Sequence, residues 1–432
     1  MATIIDSWDH NRYEVVKVSG LLDEPLRVVL DPGRGDKSTS TDSFGRLRTS
    51  NGLTLFDSSH RYKDNGLWVT QTATGGAAAF NANEGLVDLT VTGTSGSKVY
   101  RETTKVFSYQ PGKSLLVLST FVFNEAKTNL RQRVGYFGSA NGIFLELNGS
   151  TLSFVRRSSV TGSLVETKVN QSDWNLDPLN GAGISGLTLD ITKAQFLWAD
   201  FEWLGVGSVR VGFVIGGKFI ACHSFDHANI VSTTYITTAT LPLRYEIENT
   251  GTTSGNSTLK QICSSVISEG GYELTGGKRN ISTPITTPYT LTTAGTAYST
   301  ISIRLKSTAL DASVIISHLS IMGNTNNANY SWELISNGTT SGGTWTSFSA
   351  DSSVDYNVTG TTITGGNVLT SGYLSSSALS SASTDVLRAA LFSFQLERNS
   401  FTSTPYEMTL AVKSSTANAT VFTALSFEEI SR

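Results

Sequence analysis

The chain has 432 residues, more than a single hydrophobic core usually serves, so two domains plus an extension are expected. Charged residues make up 16% of it and 40 residues are Gly, while Leu/Ala/Glu/Lys blocks are nearly absent; this is a composition of strands and turns, not helices. A net charge of −3, with acids and bases interspersed, leaves no electrostatic footprint for nucleic acid or an anionic membrane, and no run of apolar residues is long enough to read as a membrane span.

Residues 1–50 differ from the rest of the chain. The opening MATIIDSWDHNRYEVVK carries charge within its first residues and has no apolar stretch, so no secretion signal is expected. Two short apolar bursts, Val15 to Val18 and Leu26 to Leu30, are each followed by turn formers, and neither can enclose a core. The reading is an extended N-terminal arm that reaches a neighbouring subunit. Arg34-Gly35-Asp36 spells an adhesion tripeptide, but its Pro32-Gly33 setting makes it a turn first.

From Asn51 to Leu274 strand-sized runs such as KSLLVLSTFVF, QRVGYF, GIFLEL and TLSFVRR alternate with turn signals at the spacing of a sandwich. Asn141-Gly142 and Asn148-Gly149 mark hairpins. The loop NQSDWNLDPLNGAGISG offers Trp174 as a plug or a contact. Aromatic Phe196, Trp198, Phe201 and Trp203 then lead into a central hairpin. In it Val209, Val211, Phe213 and Ile215 face the core, Gly216-Gly217 turns the chain, and Phe219, Ala221, His223 and Phe225 share one face of the return. LPLRYEIEN and LKQICSSVIS close that sheet, and SEGGYELTGGKRN reads as a linker. Residues 275–432 repeat the style in STISIRLKS, DASVIISHLSIM, YSWELISN and VFTALSFEEI, with His318 at a sheet margin and Ser375 to Ser383 as a loop, or a short helix over Ala378 to Arg388. The expected fold is all-β: two antiparallel β-sandwich, jelly-roll-like domains, a lectin-like one over 51–274 and a second over 275–432, behind the arm of 1–50.

Chemistry is sparse. Gly212 to Lys218, GFVIGGK, approaches a phosphate-loop pattern but has Phe219 in place of the metal-binding hydroxyl and lies in a hairpin. Cys222, His223, Asp226 and His227 are the only cluster of metal-ligand types, and no second pair completes a site. Glu246 and Glu248 share one strand face at a spacing compatible with glycosidase carboxylates, although a solvated strand face explains them more simply; Glu428 and Glu429 are a further acidic pair. Trp8, Trp68, Trp174, Trp198, Trp203, Trp332 and Trp345 include candidates for sugar stacking but suit core positions. Cys222 and Cys263 read as two buried free thiols in a reducing compartment. No catalytic, cofactor-binding or metal-binding residue is assigned, and no cofactor is expected.

The blocks DSFGRLRTSNGLTLFDSSHRY, YQPGKSLLVL, LRQRVGYF, FEWLGVGSVRVGFVIGGK, LPLRYEIENTGT and ISEGGYE, followed more weakly by FQLERN and FEEI, together resemble a family of virion structural proteins of tailed bacteriophages, particularly those of marine bacteria and cyanobacteria. The resemblance implies a non-enzymatic particle component, made in the bacterial cytoplasm and exposed on the capsid, neck or tail, that contacts other virion proteins and self-associates as a homo-oligomer. It carries over no site residues. A carbohydrate- or host-receptor-binding module of a tail fibre or baseplate, with a host surface glycan as partner, is the alternative, because lectin-like jelly rolls also use aromatic strands and Gly-Gly hairpins.

Overall fold

The computed structural model describes residues 51–376, 382–384 and 391–431. The arm of 1–50, with its Arg34-Gly35-Asp36, lies outside the described residues, as does most of Ala378 to Arg388. Within that last span Ala382–Thr384 form a strand, neither loop nor helix.

In chain order the first half contributes β1 (Leu53–Ser58), β2 (Trp68–Ala73), β3 (Ala77–Asn81), β4 (Leu86–Val91), β5 (Lys98–Thr103), β6 (Ser114–Val122), β7 (Leu130–Phe137), β8 (Gly142–Asn148), β9 (Thr151–Ser158), β10 (Val165–Asn170), β11 (Gln195–Phe201), β12 (Val209–Ile215), β13 (Lys218–Phe225), β14 (Leu243–Asn249) and β15 (Ser257–Glu269). Eight of these form one antiparallel sheet, β13-β12-β11-β6-β15-β4-β3 with β1 beside β15, and seven form another, β10-β9-β8-β7-β14-β5-β2. The alternation of β6 turns Leu115, Val117 and Phe121 inward, and β14 turns Leu243, Tyr245 and Ile247 inward to meet them in a shared core. LPLRYEIEN and LKQICSSVIS, expected to close one sheet, enter different ones, β14 and β15.

The central hairpin forms as the Gly-Gly pair dictates: Ile215 pairs with Lys218, and Gly216 and Gly217 have φ of 59° and 76°. A register shift at Val211/Gly212 breaks the expected single face of the return strand. Phe219 and Ala221 oppose Val214 and Gly212 on the outer side, whereas His223 and Phe225 oppose the core residues Val211 and Val209.

The second half contributes β16 (Gly277–Ser282), β17 (Tyr289–Leu291), β18 (Tyr298–Leu305), β19 (Ser313–Gly323), β20 (Asn329–Thr340), β21 (Thr346–Ser347), β22 (Val354–Asn357), β23 (Ile363–Thr364), β24 (Asn367–Ser375), β25 (Ala382–Thr384), β26 (Arg398–Asn399), β27 (Thr404–Pro405), β28 (Glu407–Ser414) and β29 (Ala419–Ser431). A five-stranded sheet, β16-β29-β19-β25 with β17 on β29, packs against a seven-stranded one, β21-β22-β18-β28-β20-β23 with β24 on β20. Ile301, Ile303, Ile316, Leu334, Leu410 and Phe427 are central to this separate core. The small β26–β27 hairpin stands apart from both sheets.

Candidate functional site

The alternation that buries Leu243, Tyr245 and Ile247 sends Arg244, Glu246 and Glu248 to the opposite face of the seven-stranded sheet. Antiparallel register then sets Glu246 beside Arg133 of β7 and Arg244 beside Glu102 of β5, while β8 brings Glu146 to the other side of Arg133. Arg133 is the hub. Its Nε donates to Glu146 at 2.6 Å, and its two terminal nitrogens donate to Glu166 at 3.1 Å and Glu246 at 3.5 Å. Glu246 also meets Arg244 Nε at 2.6 Å, Glu166 meets Arg157 at 2.8 Å, and Glu146 accepts from Lys168 at 2.5 Å. Phe137, Phe144 and Val155 form a small apolar floor, and the Arg133 and Arg157 guanidinium groups each lie 5.0 Å from the Phe144 ring centre.

Glu246, Glu146 and Arg133 are 3%, 1% and 3% exposed, so the expectation of a solvated face for Glu246 is wrong. Buried charge on this scale persists only where every charge finds an opposite partner, and the fork of Arg can serve several carboxylates at once. Glu166 illustrates the balance: burial pushes its carboxyl up, but Arg133, Arg157 and Lys168 together hold it below the usual range. A glycosidase pair needs open space between its carboxyls for the sugar bond. In the expected pair, Glu246 and Glu248, each carboxylate is already taken: Arg133 and Arg244 hold Glu246, and Arg131 holds Glu248.

The network continues into the second sandwich. Arg244 donates to one oxygen of Glu102 at 2.9 Å, and Arg398 donates to the other at 2.8 Å. Arg398, 1% exposed, also donates to the Thr103 carbonyl at 2.6 Å and lies 3.2 Å from Asp311, and its backbone N–H donates to the Thr104 carbonyl at 2.9 Å. Gln395 donates to the Val106 carbonyl at 2.7 Å. Lys105 donates to the Phe392 carbonyl at 2.9 Å and pairs with Glu397 at 3.5 Å; burial lowers its ammonium and Glu397 opposes that. Phe401, from the β26–β27 hairpin, lies under the Arg244 guanidinium at 5.1 Å.

Apart from Glu246, the residues singled out from sequence do not converge in this way. Cys222, His223, Asp226 and His227 separate at the strand end. The Cys222 thiol points at the Ile220 carbonyl and is pushed up to about 12 by burial. His223 Nδ1 accepts the Asn175 N–H, and His227 stacks on Tyr235 at 3.8 Å with Nδ1 2.7 Å from the Gly207 carbonyl. Among the described residues no group of three or more His, Cys, Asp and Glu could hold a metal ion. Trp174 is a plug: it is 5% exposed and lies between Phe154 at 4.5 Å and Phe213 at 6.3 Å. Trp68, Trp198 and Trp332 are buried, and Trp345, half-buried, is stacked by Arg304 at 4.0 Å. Glu429 is buried and accepts the Ser353 N–H at 3.1 Å, and Glu428 lies 3.8 Å from Lys278. Cys263, expected to be buried, is exposed where β15 bulges. It borders a groove of about 290 Å³ on the outer face of the eight-stranded sheet, together with Phe196, Thr120, Ser265 and Asp57.

Arg133, Glu146, Glu102 and Arg398 were not singled out from sequence. No local pattern marks them: Glu146 is the one charge in β8, Glu102 directly follows Arg101, Arg398 lies in the two-residue β26, and Arg133 is separated from Arg131 by the polar Gln132; only the pairing of strands makes them neighbours.

No family model matches the sequence, and no curated protein matches it. The chain is similar to several solved structures at low identity. They include the carbohydrate recognition domain of Emp47p (11% identity, TM-score 0.31, covering 51% of this chain and 97% of that one). The receptor binding domain of botulinum neurotoxin D (11%, 0.33) is matched over 51% of this chain and 50% of that one, so this chain spans about half of the toxin domain. A carbohydrate esterase from the Shiga toxin-encoding bacteriophage phi24B (11%, 0.30) is matched over 50% of this chain and 99% of that one.

Proposed function

We propose that the chain is a non-enzymatic structural component of a tailed-phage virion, made in the bacterial cytoplasm, exposed on the capsid or at the neck or tail, and attached through subunit contacts and the arm of residues 1–50. One observation carries this reading. Three of the blocks in which the phage resemblance resides, LRQRVGYF, LPLRYEIEN and FQLERN, are far apart in sequence, yet they supply Arg133, Arg244 with Glu246, and Arg398 to a single buried network across both sandwiches. Two further blocks meet reciprocally: Gln110 of YQPGKSLLVL donates to the Glu273 carbonyl at 2.9 Å and accepts the Glu273 N–H of ISEGGYE at 3.0 Å. The resemblance therefore follows the bracing of the molecule, as suits a particle part that bears load by shape. Immunogold electron microscopy of particles with an antibody against the second sandwich tests it. Label on heads, necks or tails supports the reading, and unlabelled particles beside abundant soluble protein would sink it.

The groove beside Phe196 favours the second reading, a module that binds a host glycan, because it sets an aromatic ring among Ser, Thr and Asp side chains. Glycan-array binding lost in Phe196→Ala, with Trp174 left intact as core, would support it.

A further inference from the structure

The eight-stranded sheet is interrupted along β15. On one side β15 pairs with β4 as far as Gln261 and with β1 only from Ser264; on the other side its pairing with β6 breaks over the same stretch. Ile262 and Cys263 therefore lie off the ladder. Thr120 stands in for the lost partner: its hydroxyl accepts the Cys263 N–H at 2.9 Å and donates to the Cys263 carbonyl at 3.3 Å. The break leaves the groove of about 290 Å³ on the outer face, with Phe196 on β11 and Asp57 on β1 at its two sides and β6 and β15 between them.

Asp57 is the only charged residue that lines this groove. Burial pushes the Cys263 thiol up, so it stays neutral beside the carboxylate. Asp57 is exposed, and among the described residues its carboxylate has no hydrogen-bond or ion-pair partner. The Thr120 hydroxyl is engaged by Cys263, and the Ser265 hydroxyl donates to the Phe56 carbonyl at 3.1 Å. The strong polar side chains left exposed to a ligand are Asp57 and Ser59, facing an aromatic ring.

We infer that the groove binds an amino sugar, whose protonated amine pairs with Asp57 while an apolar face of the sugar lies on Phe196. The inference rests on the second reading above, a glycan-binding module, and names its ligand class. A glycan bearing carboxylate, phosphate or sulfate meets only like charge here and is refused. The volume is that of a small-molecule cleft and not of a peptide track, so the cation is carried by a short sugar and not by a lysine-bearing segment.

The test is calorimetric titration of the full chain at about pH 6, where such an amine is protonated, with three probes: a deacetylated chito-oligosaccharide, its N-acetylated counterpart and an oligogalacturonate. The deacetylated sugar is expected to bind at least about fivefold tighter than the N-acetylated one, and the uronate not at all. Asp57→Asn should erase that preference and added salt should shrink it, while Phe196→Ala should weaken both sugars. Equal or tighter binding of either other probe, or a preference that survives Asp57→Asn, would overturn the inference and leave the glycan reading standing. Silence with all three probes, beside Phe196-dependent binding elsewhere on a glycan array, would overturn the amino-sugar assignment alone; silence on both would overturn the two together.

Discussion

Arg133 decides how the acidic residues of the first sandwich are to be understood. It touches three carboxylates while itself 3% exposed, so removing it leaves buried Glu146 with Lys168 alone and buried Glu246 with Arg244 alone, and the interior network one positive charge short. Arg133→Met is expected to cost about 3–5 kcal/mol in urea unfolding. Adding Glu246→Gln to that variant should recover part of the loss, because one uncompensated charge goes with it; a cost under about 1 kcal/mol would contradict the hub role. His60 makes a second case at this scale. It is 1% exposed, and burial first, then Arg101, lowers its imidazole to about 4, with Asp64 opposing. The unfolded chain therefore binds a proton below about pH 6.5 that the folded chain refuses until about pH 4, so this contribution is complete above pH 6.5 and lost as pH falls through that window. Urea titrations should show about 2 kcal/mol lost between pH 7.5 and pH 5 through this residue. His60→Gln should lack that component, and an unchanged pH slope in it would refute the assignment.

At the scale of elements, much of the sandwich pattern was legible, and the failures have physical causes. The Gly216-Gly217 hairpin followed from two positive-φ residues between alternating strands, and Asn148↔Thr151 closes another hairpin where Asn148-Gly149 predicted it. The face of β13 was misread because a bulge carries no local signature, and shifting the register by one residue exchanges inside for outside. The bulge lies beside Gly212, where an added Cβ would fall 1.9 Å from the Ile220 carbonyl oxygen. What resembled a phosphate loop is thus a place where two backbones come too close for any side chain. Gly212→Ala should destabilise by roughly 1–3 kcal/mol through displaced strands. Gly217→Ala, with open space around it and φ of 76°, should cost about 1 kcal/mol from conformation alone. Equal effects at the two sites would show that close approach is not what Gly212 serves. The acidic site was illegible for a related reason. The pattern of β14 gives which face Glu246 occupies, but whether that face is wet depends on partners from β7, β8 and the β26–β27 segment, which no local pattern brings together.

At the scale of the molecule, the two sandwiches have separate cores, and what joins them is largely polar: Glu102 between Arg244 and Arg398, with Gln395 and Lys105 bonding backbone carbonyls on opposite sides of the contact, beside an apolar contact of Phe392 with Tyr272 at 5.0 Å. Interfaces between domains of one chain often permit relative motion. Here the interface charges are buried and mutually satisfied, so separating the sandwiches would expose matched charges at the cost of their pairing, and the two are expected to behave as one body. Differential scanning calorimetry of the wild type beside Arg398→Met tests this most directly. The expected result is a single cooperative transition for the wild type that splits into two in the variant, the first sandwich losing about 3 kcal/mol or more as Glu102 gives up one of its two arginines. Two independent transitions in the wild type, unmoved by Arg398→Met, would contradict it.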